Sequence, residues 1–550
     1  MNLKAAKRIA AMAVTAVMTV SMLAGCQPAS QNSGAKVTPE PQVTQKAEKE
    51  EVDLSLPISK EKITLRYFIN INGAMSATMA SYADVEAVKE LEKRTNIHIE
   101  WIHPTGGDEQ FALMVASKDL PDMINWKFGN AKGGPEALIR DNVLIPLSEE
   151  DLRTYAPNYM KIMDENLEYR MNTMLDDGTM FQFINFNYDW NTGKIVNFSI
   201  KGPYIRMDWV RKVGMEEPKT IDDLYNVLKA FKEQKVNGKD DVIPFIVDKS
   251  LIGIKAIAGS FGTRQSMHMK NGKIVYGPIT QEFKTYLETM NKWYSEGLIN
   301  SDYPVLNDKN PLIISSDAGF TIGSMGSDLT MSREALLESD PTSDLDSIPY
   351  LKGPGGYQCL VDDSGANPRA TAITSANKYV KETLRWLDYQ YSFDGSMLTT
   401  FGIEGESYEF INGYPTLTDL VMKNTKGYNQ EEAIARYCFG PVNYPNARDI
   451  RFYEQVNLNT EQKKRIQENW MTGTSDILIP PITLSVDESA KYSNIMADIT
   501  TYVDEMTLKF IIGEEPLSKF DEFVSKVKQM GIEDAIAIQE AALARYNSRR

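Results

Sequence analysis

The chain has 550 residues, a formal net charge of -16, 42% hydrophobic and 10% aromatic residues, and only 3 Cys and 3 His. Such a length calls for two or more lobes rather than one core. The acid excess repels phosphate backbones and excludes nucleic acid as a partner, while the scarcity of Cys and His excludes a disulfide scaffold and argues against a Cys/His metal centre.

The chain opens with Lys4, Lys7 and Arg8 and carries no acid through Gly25. Ile9 to Leu23 is apolar apart from small polar interruptions, a run of 15 residues against the ~20 a membrane span needs. Leu23-Ala24-Gly25-Cys26 follows. Basic, apolar and small residues ending in Cys predict a lipoprotein signal peptide over 1–25. Its lipobox ends at Cys26, whose thiol takes a diacylglycerol; two acyl chains suffice for stable anchoring. The protein is thus expected at the extracellular face of the cell membrane, lipid-anchored. Residues 26–60 are rich in Pro, Ser, Gln, Thr, Lys and Glu, and no aromatic appears before Tyr67. That segment buries too little apolar surface to order itself and is expected to be a disordered tether.

From Ile63 short apolar runs alternate with amphipathic ones. Ile63 to Ile69 reads as a strand, and Asp84 is placed to cap a helix carrying Val85, Val88 and Leu91. Ile97 to Trp101 is the next strand, Phe111 to Val115 marks another helix, and Asp122 to Trp126 a third strand. The rhythm restarts with a strand at Ile200 to Met207. Thr220 and Asp223 form a capping box ahead of Ile221, Leu224, Tyr225, Leu228 and Phe231. A helix from Gln281 buries Phe283, Leu287, Met290 and Trp293 and stops at Gly297. Ile313 to Ile322 and Ala370 to Thr374 read as strands, and the chain beyond Lys378 as mostly helical, with Ser518 and Asp521 capping the run toward Tyr546. The fold class is α/β, with two halves and a helix-rich C-terminal part.

Catalytic signatures are absent: no phosphate loop, no dinucleotide fingerprint and no Gly-x-Ser-x-Gly elbow. His98 and His103 fall on opposite faces by period-2 counting, and His268 is remote; all three read as surface or packed neutral side chains. Cys359 and Cys438 can pair once Cys26 is lipidated, although two buried thiols are favoured. The paired acids Asp176-Asp177, Asp240-Asp241 and Asp362-Asp363 allow a secreted glycoside hydrolase as one alternative, but adjacent acids more often lie on solvated faces. No catalytic residue is assigned, and the chain is read as a binding protein. Aromatics outside helical stripes carry the site expectation. Trp126, Tyr188, Trp190, Phe261 and Tyr408, with Asn72 and Glu406 as polar partners, supply the apolar wall and few polar groups that a sugar pocket needs. Tyr188 and Trp190 are placed at the first crossing between lobes. Arg206, Asp208 and Trp209 are read as structural.

Several segments resemble the extracellular solute-binding proteins of family 1, and among them the long Gram-positive lipoproteins of carbohydrate ABC importers. They are Leu91 to Ile97, Ser117 to Met123, Ile205 to Val210 with Gly214, Pro218 and Thr220, Phe401 to Tyr408, and Gln539 to Tyr546. The resemblance spans about Ile63 to Arg545. It implies a two-lobed periplasmic-binding-protein-like clamshell, type II in style, with a sugar or oligosaccharide held in the interlobe cleft and delivered to ABC permease subunits. A monomer is expected, and a non-sugar solute or a membrane sensor is the other binding role left open. Lobe 1 is expected at 61–186 and 312–368, lobe 2 at 187–311 and 369–550. The family often carries an acidic calcium loop. Here that stretch is Glu233 to Val242, where Lys235 puts an ammonium and Val242 a methyl group in place of oxygens. No metal and no cofactor is therefore expected.

Overall fold

The computed structural model describes residues 52–76, 78–250, 252–358, 369–424, 427–428, 430–440 and 444–549. The lipobox and most of the tether, Cys359, and Asp362-Asp363 lie outside the described residues. Residues 52–550 form one compact unit.

Two sheets organise that unit. The first has the order Ile97–Ile102, Ile63–Phe68, Met123–Trp126, Ala370–Ile373, Phe183–Ile184. Its first three strands are parallel, and Ala370–Ile373 runs antiparallel to both neighbours. Ile63, Leu65 and Tyr67 alternate inward along their strand, whereas Met123–Trp126 is buried on both faces, as a central parallel strand must be. Asn125 is tolerated there because its amide donates to the Thr371 hydroxyl at 3.0 Å. The second sheet has the order Leu345–Ser347, Lys201–Arg206, Ala318–Ser324, Ile243–Phe245. A small third sheet joins Ala447–Asp449, Phe186–Asp189 and Lys194–Val196.

Each main sheet has its own core. One gathers Leu65, Met123, Phe183, Trp386 and Tyr391; the other gathers Leu224, Phe231, Phe320, Trp293 and Phe510. Strand pairing assigns the segments differently from the sequence expectation. Ala318–Ser324 pairs with Lys201–Arg206 in the second sheet, and Ala370–Ile373 pairs with Met123–Trp126 in the first. The reversal has a simple cause. An apolar strand run states that a strand forms, but the sheet that takes it is decided by partners far away in sequence.

The helices follow their patterns with local exceptions. Thr220 and Asp223 form the expected capping box of Ile221–Glu233, and Gly297 at φ 66 follows the end of Gln281–Ser295. Glu86–Thr95 forms, but Asp84 does not cap it; Ser81 caps a short turn just before it. Ile313 falls in a helix, Asn310–Ile314, ahead of the strand. Ser518 lies inside a 3₁₀ turn, so Phe520–Gln529 starts without a side-chain cap. The 27-residue helix Val486–Ile512 starts at a Ser485/Glu488 capping box that the sequence reading passed over. A hairpin of Tyr408–Ile411 and Tyr414–Leu417 interrupts the helical C-terminal part.

The loop read as a degraded calcium site is closed by its own side chains. Lys235 pairs with Asp240 and Lys239 with Asp317, the Asn237 amide donates to the Ser316 carbonyl at 3.2 Å, and Val242 is buried. These residues do not fit a cation that takes ~6–8 oxygens.

Candidate ligand cavity between the sheets

A cavity of about 1140 Å³ opens between elements of the two sheets. That is slightly above the ~300–1,000 Å³ usual for ligand pockets. Its first wall is built on the first sheet. Phe128 follows the end of Met123–Trp126, and Phe181, Gln182 and Ile184 come from Phe183–Ile184 and its lead-in. Phe128 and Phe181 meet edge to face at 6.0 Å. Glu168, Tyr169 and Asn172 come from the helix Leu167–Met171 and its end. The Tyr169 phenol hydrogen-bonds Asn197, and burial pushes its pKa up. Asn197, Phe198 and Ser199 lie where the chain passes from Lys194–Val196 to the second sheet, and Phe198 stacks on Tyr453 at 3.8 Å.

The facing wall is different in kind. It consists largely of 471–484, which contains no helix or strand after Trp470, with Pro480 and Pro481 at its middle. Pro fixes φ and stiffens such a segment without hydrogen bonds. Gln539, Leu543 and Asn547 of the C-terminal helix Ile532–Ser548 complete it.

An ion network joins the walls at one end. Arg545 pairs with Glu488 at 2.6 Å and with Asp176, Arg549 pairs with Asp176 at 3.3 Å, and the Thr483 hydroxyl donates to Asp176 at 2.5 Å. Asp176 belongs to the turn after Leu167–Met171, whereas the other groups belong to the facing wall. Glu136 lies nearby; burial first, and then the charge of Asp176, holds its carboxyl above the ordinary range. Gly133, at φ 77, avoids a clash with Ala137, whose Cβ would lie 2.7 Å from a Cβ there; Val486, at 3.5 Å, would be in ordinary contact.

None of the seven residues expected to bind ligand is among those lining this cavity. Trp126 sits in the strand that ends at it, but the ring is only 2% exposed, stacked on Phe111 at 5.0 Å with the Arg369 guanidinium 5.0 Å from its centroid. Tyr188 and Trp190 are brought together edge to face at 4.9 Å, against the first core; the Trp190 indole N–H donates to Ser396. The crossing lies after Val196, a few residues beyond them. Phe261 packs on Tyr286 inside the second core. Tyr408 packs on Phe401 in a separate cluster, and Glu406 beside it is exposed. Asn72 accepts from the Ser76 N–H and its own N–H donates to Tyr82. The sequence reading missed Phe128, Tyr169, Phe181 and Phe198. The signal for two of them was their place just beyond a strand end or at a crossing.

The three histidines are held apart in the structure. His98 bonds Glu92 at 2.7 Å, His103 bonds the Ile69 carbonyl at 2.8 Å, and burial lowers His268 to about 4. Cys438 is a buried free thiol pushed up to about 12 by that burial. Arg206 chelates Asp208 with two hydrogen bonds, 2.8 and 2.6 Å, and stacks over Trp209, a structural arrangement. Among the described residues no His, Cys, Asp and Glu group is disposed to hold a metal ion, and no helix is long and apolar enough to cross a membrane.

Comparison with known proteins places this geometry. The chain is 25% identical over 486 residues to the fructooligosaccharide ABC transporter substrate-binding protein FusA of Streptococcus pneumoniae serotype 4, covering 84% of this chain and 87% of that one. It is 26% identical over 465 residues to lipoprotein LipO of Bacillus subtilis, covering 81% and 86%. The crystal structure of alginate-binding protein AlgQ2 without calcium ion superposes with a TM-score of 0.69 at 22% identity, over 88% of this chain and 99% of that one. FusA is named as a substrate-binding protein, and the fold shared with the solved structures is that of two-domain solute-binding proteins. No protein-family model matches the chain.

Proposed function

We propose that this chain, a homologue of the substrate-binding proteins of ABC transporters, captures an oligosaccharide in the cavity between its two sheets. It then presents the sugar to the transporter's membrane subunits. One observation carries the placement: an interlobe cavity of about 1140 Å³ lined by the half-buried rings of Tyr169 and Phe198, backed by the nearly buried Phe128 and Phe181, and edged by amides and hydroxyls. Aromatic faces cover the C–H faces of sugar rings, and amides and hydroxyls take the ring hydroxyls. Its homologues act as binding proteins, so the bound sugar leaves unchanged. Lipid on Cys26 would keep the body at the outer membrane face, within reach of the permease.

Calorimetry with a panel of oligosaccharides tests the reading, followed by mass analysis of the recovered sugar. A ligand at 100 times its Kd raises stability by ~2.7 kcal/mol, readable as a rise in Tm. Binding with the sugar recovered intact supports the proposal. Shortened sugar would instead show a hydrolase. Replacing Cys26 by Ser should release the protein from the detergent phase; a Cys26→Ser protein that still partitions as a lipoprotein refutes the anchor.

A further inference from the structure

We infer that the cavity selects uncharged oligosaccharides and rejects uronic-acid polymers. The inference rests on the oligosaccharide reading above and narrows its substrate class. Among the described residues that line the cavity there is no Lys, Arg or His; the charged ones are Glu168 and Asp476. Neither makes an ion pair among the described residues.

Several cations beside lining residues are committed elsewhere, and Lys127 and Lys273, which flank the lining Phe128 and Gly272, are not themselves among the lining residues. Arg545 and Arg549 bond Asp176 and Glu488. Lys270, next to the lining Met269, pairs with Glu282 at 2.6 Å. Arg170, on the helix that supplies Tyr169, pairs with Asp164 at 2.6 Å. Arg369 precedes the lining Ala370, but its guanidinium lies over the Trp126 ring. A uronate carboxylate entering this cavity gives up water, meets no cation among the lining side chains to replace it, and approaches two acidic residues. The hydroxyls of a neutral sugar face amides and hydroxyls that match them: Asn172, Gln182, Asn197, Ser475 and Thr483.

The test is calorimetry on the whole protein with two probe sets. One holds neutral fructo-, gluco-, manno- and galacto-oligosaccharides; the other holds oligogalacturonates and alginate oligomers. Binding confined to the neutral set is expected. The best neutral ligand, oxidised at its primary hydroxyls to carboxylates, should bind at least about tenfold more weakly. An acidic oligomer binding as tightly as the neutral set, or an oxidised ligand binding undiminished, overturns the inference and leaves the oligosaccharide reading intact. Silence from both sets removes that reading and the inference with it. Asp476→Lys, on an exposed segment, should restore about tenfold in affinity for the oxidised ligand. No gain from that cation would show that charge is not what excludes it.

Discussion

The two walls of the cavity are made in opposite ways. The first grows out of a folded core: Phe128, Phe181 and Ile184 are each nearly buried and belong to the hydrophobic cluster under the first sheet. The second is largely a run without helix or strand, 471–484, held by two prolines, the Asp176 network and the C-terminal helix. A wall that is also core cannot move without unfolding something. A draped wall can adjust to its ligand. On the oligosaccharide reading, a fixed aromatic side and an adaptable, largely apolar side follow from that difference.

Four experiments break or sharpen it. The largest effect is expected from Asp388, whose carboxyl is pushed up to about 7 by burial while accepting from the Tyr159 N–H and the Asn158 amide. Tyr159 in turn donates to the carbonyl of the lining Gln182, so this acid underpins the first wall. Its folded pKa lies above the ordinary value of 3.8, so the folded state holds the proton more tightly. The resulting stability is present at acid pH and is lost as pH rises from about 4 to about 7, ~4 kcal/mol at most. Chemical denaturation across that range should show the loss in the wild type and a flatter profile in Asp388→Asn. Identical profiles would remove Asp388 as the cause.

Next is Asp176→Ala, which strands two arginines at the joint between walls. A loss of ~2–4 kcal/mol is expected in urea, below the ~3–5 of a fully buried pair because Arg545 is 35% exposed. Reversal by Asp176→Glu would show that the charge, rather than the turn, matters. Phe198→Ala removes a half-buried ring from the first wall. Ligand affinity should drop by ~1 kcal/mol, about fivefold, with a smaller change in Tm. A large Tm loss with unchanged affinity would make Phe198 core alone. The smallest effect belongs to the draped wall. Pro480→Ala should cost ~0.4–1 kcal/mol, since Ala leaves the unfolded chain and this segment freer. Its affinity loss, seen by calorimetry, should be a few-fold at most; a greater loss than in Phe198→Ala would invert the roles of the walls.

Much of the scaffold was legible in the sequence, because it rests on periodicity. Ile63–Phe68, Ile221–Glu233 and Gln281–Ser295 each announce themselves by spacing and caps. The site was not legible, and Trp126 and Phe128 show why. Both stand at one strand end and both are nearly buried, and neither the hydropathy nor the size of the side chain tells which of them borders the cavity. That choice is made by Phe111 and Phe68, which close over Trp126 from other elements. The draped wall left no trace, since 471–484 has no period to read. The regrouping of Ala318–Ser324 and Ala370–Ile373 was hidden for the related reason that strand partners lie far away along the chain.

The helix Val486–Ile512 touches both halves of this arrangement. Its start lies against Gly133, its capping Glu488 holds Arg545, and its far end buries Phe510 and Ile511 in the second core. At 1.5 Å per residue its 27 residues make a rod roughly 40 Å long. Pivoted at the capped end, such a rod sweeps its far tip through about 0.7 Å for each degree of tilt, a figure that follows from that length alone. With Phe510 and Ile511 packed in the second core and Glu488 held by Arg545, the helix ties the two ends of this arrangement together as a single rigid strut.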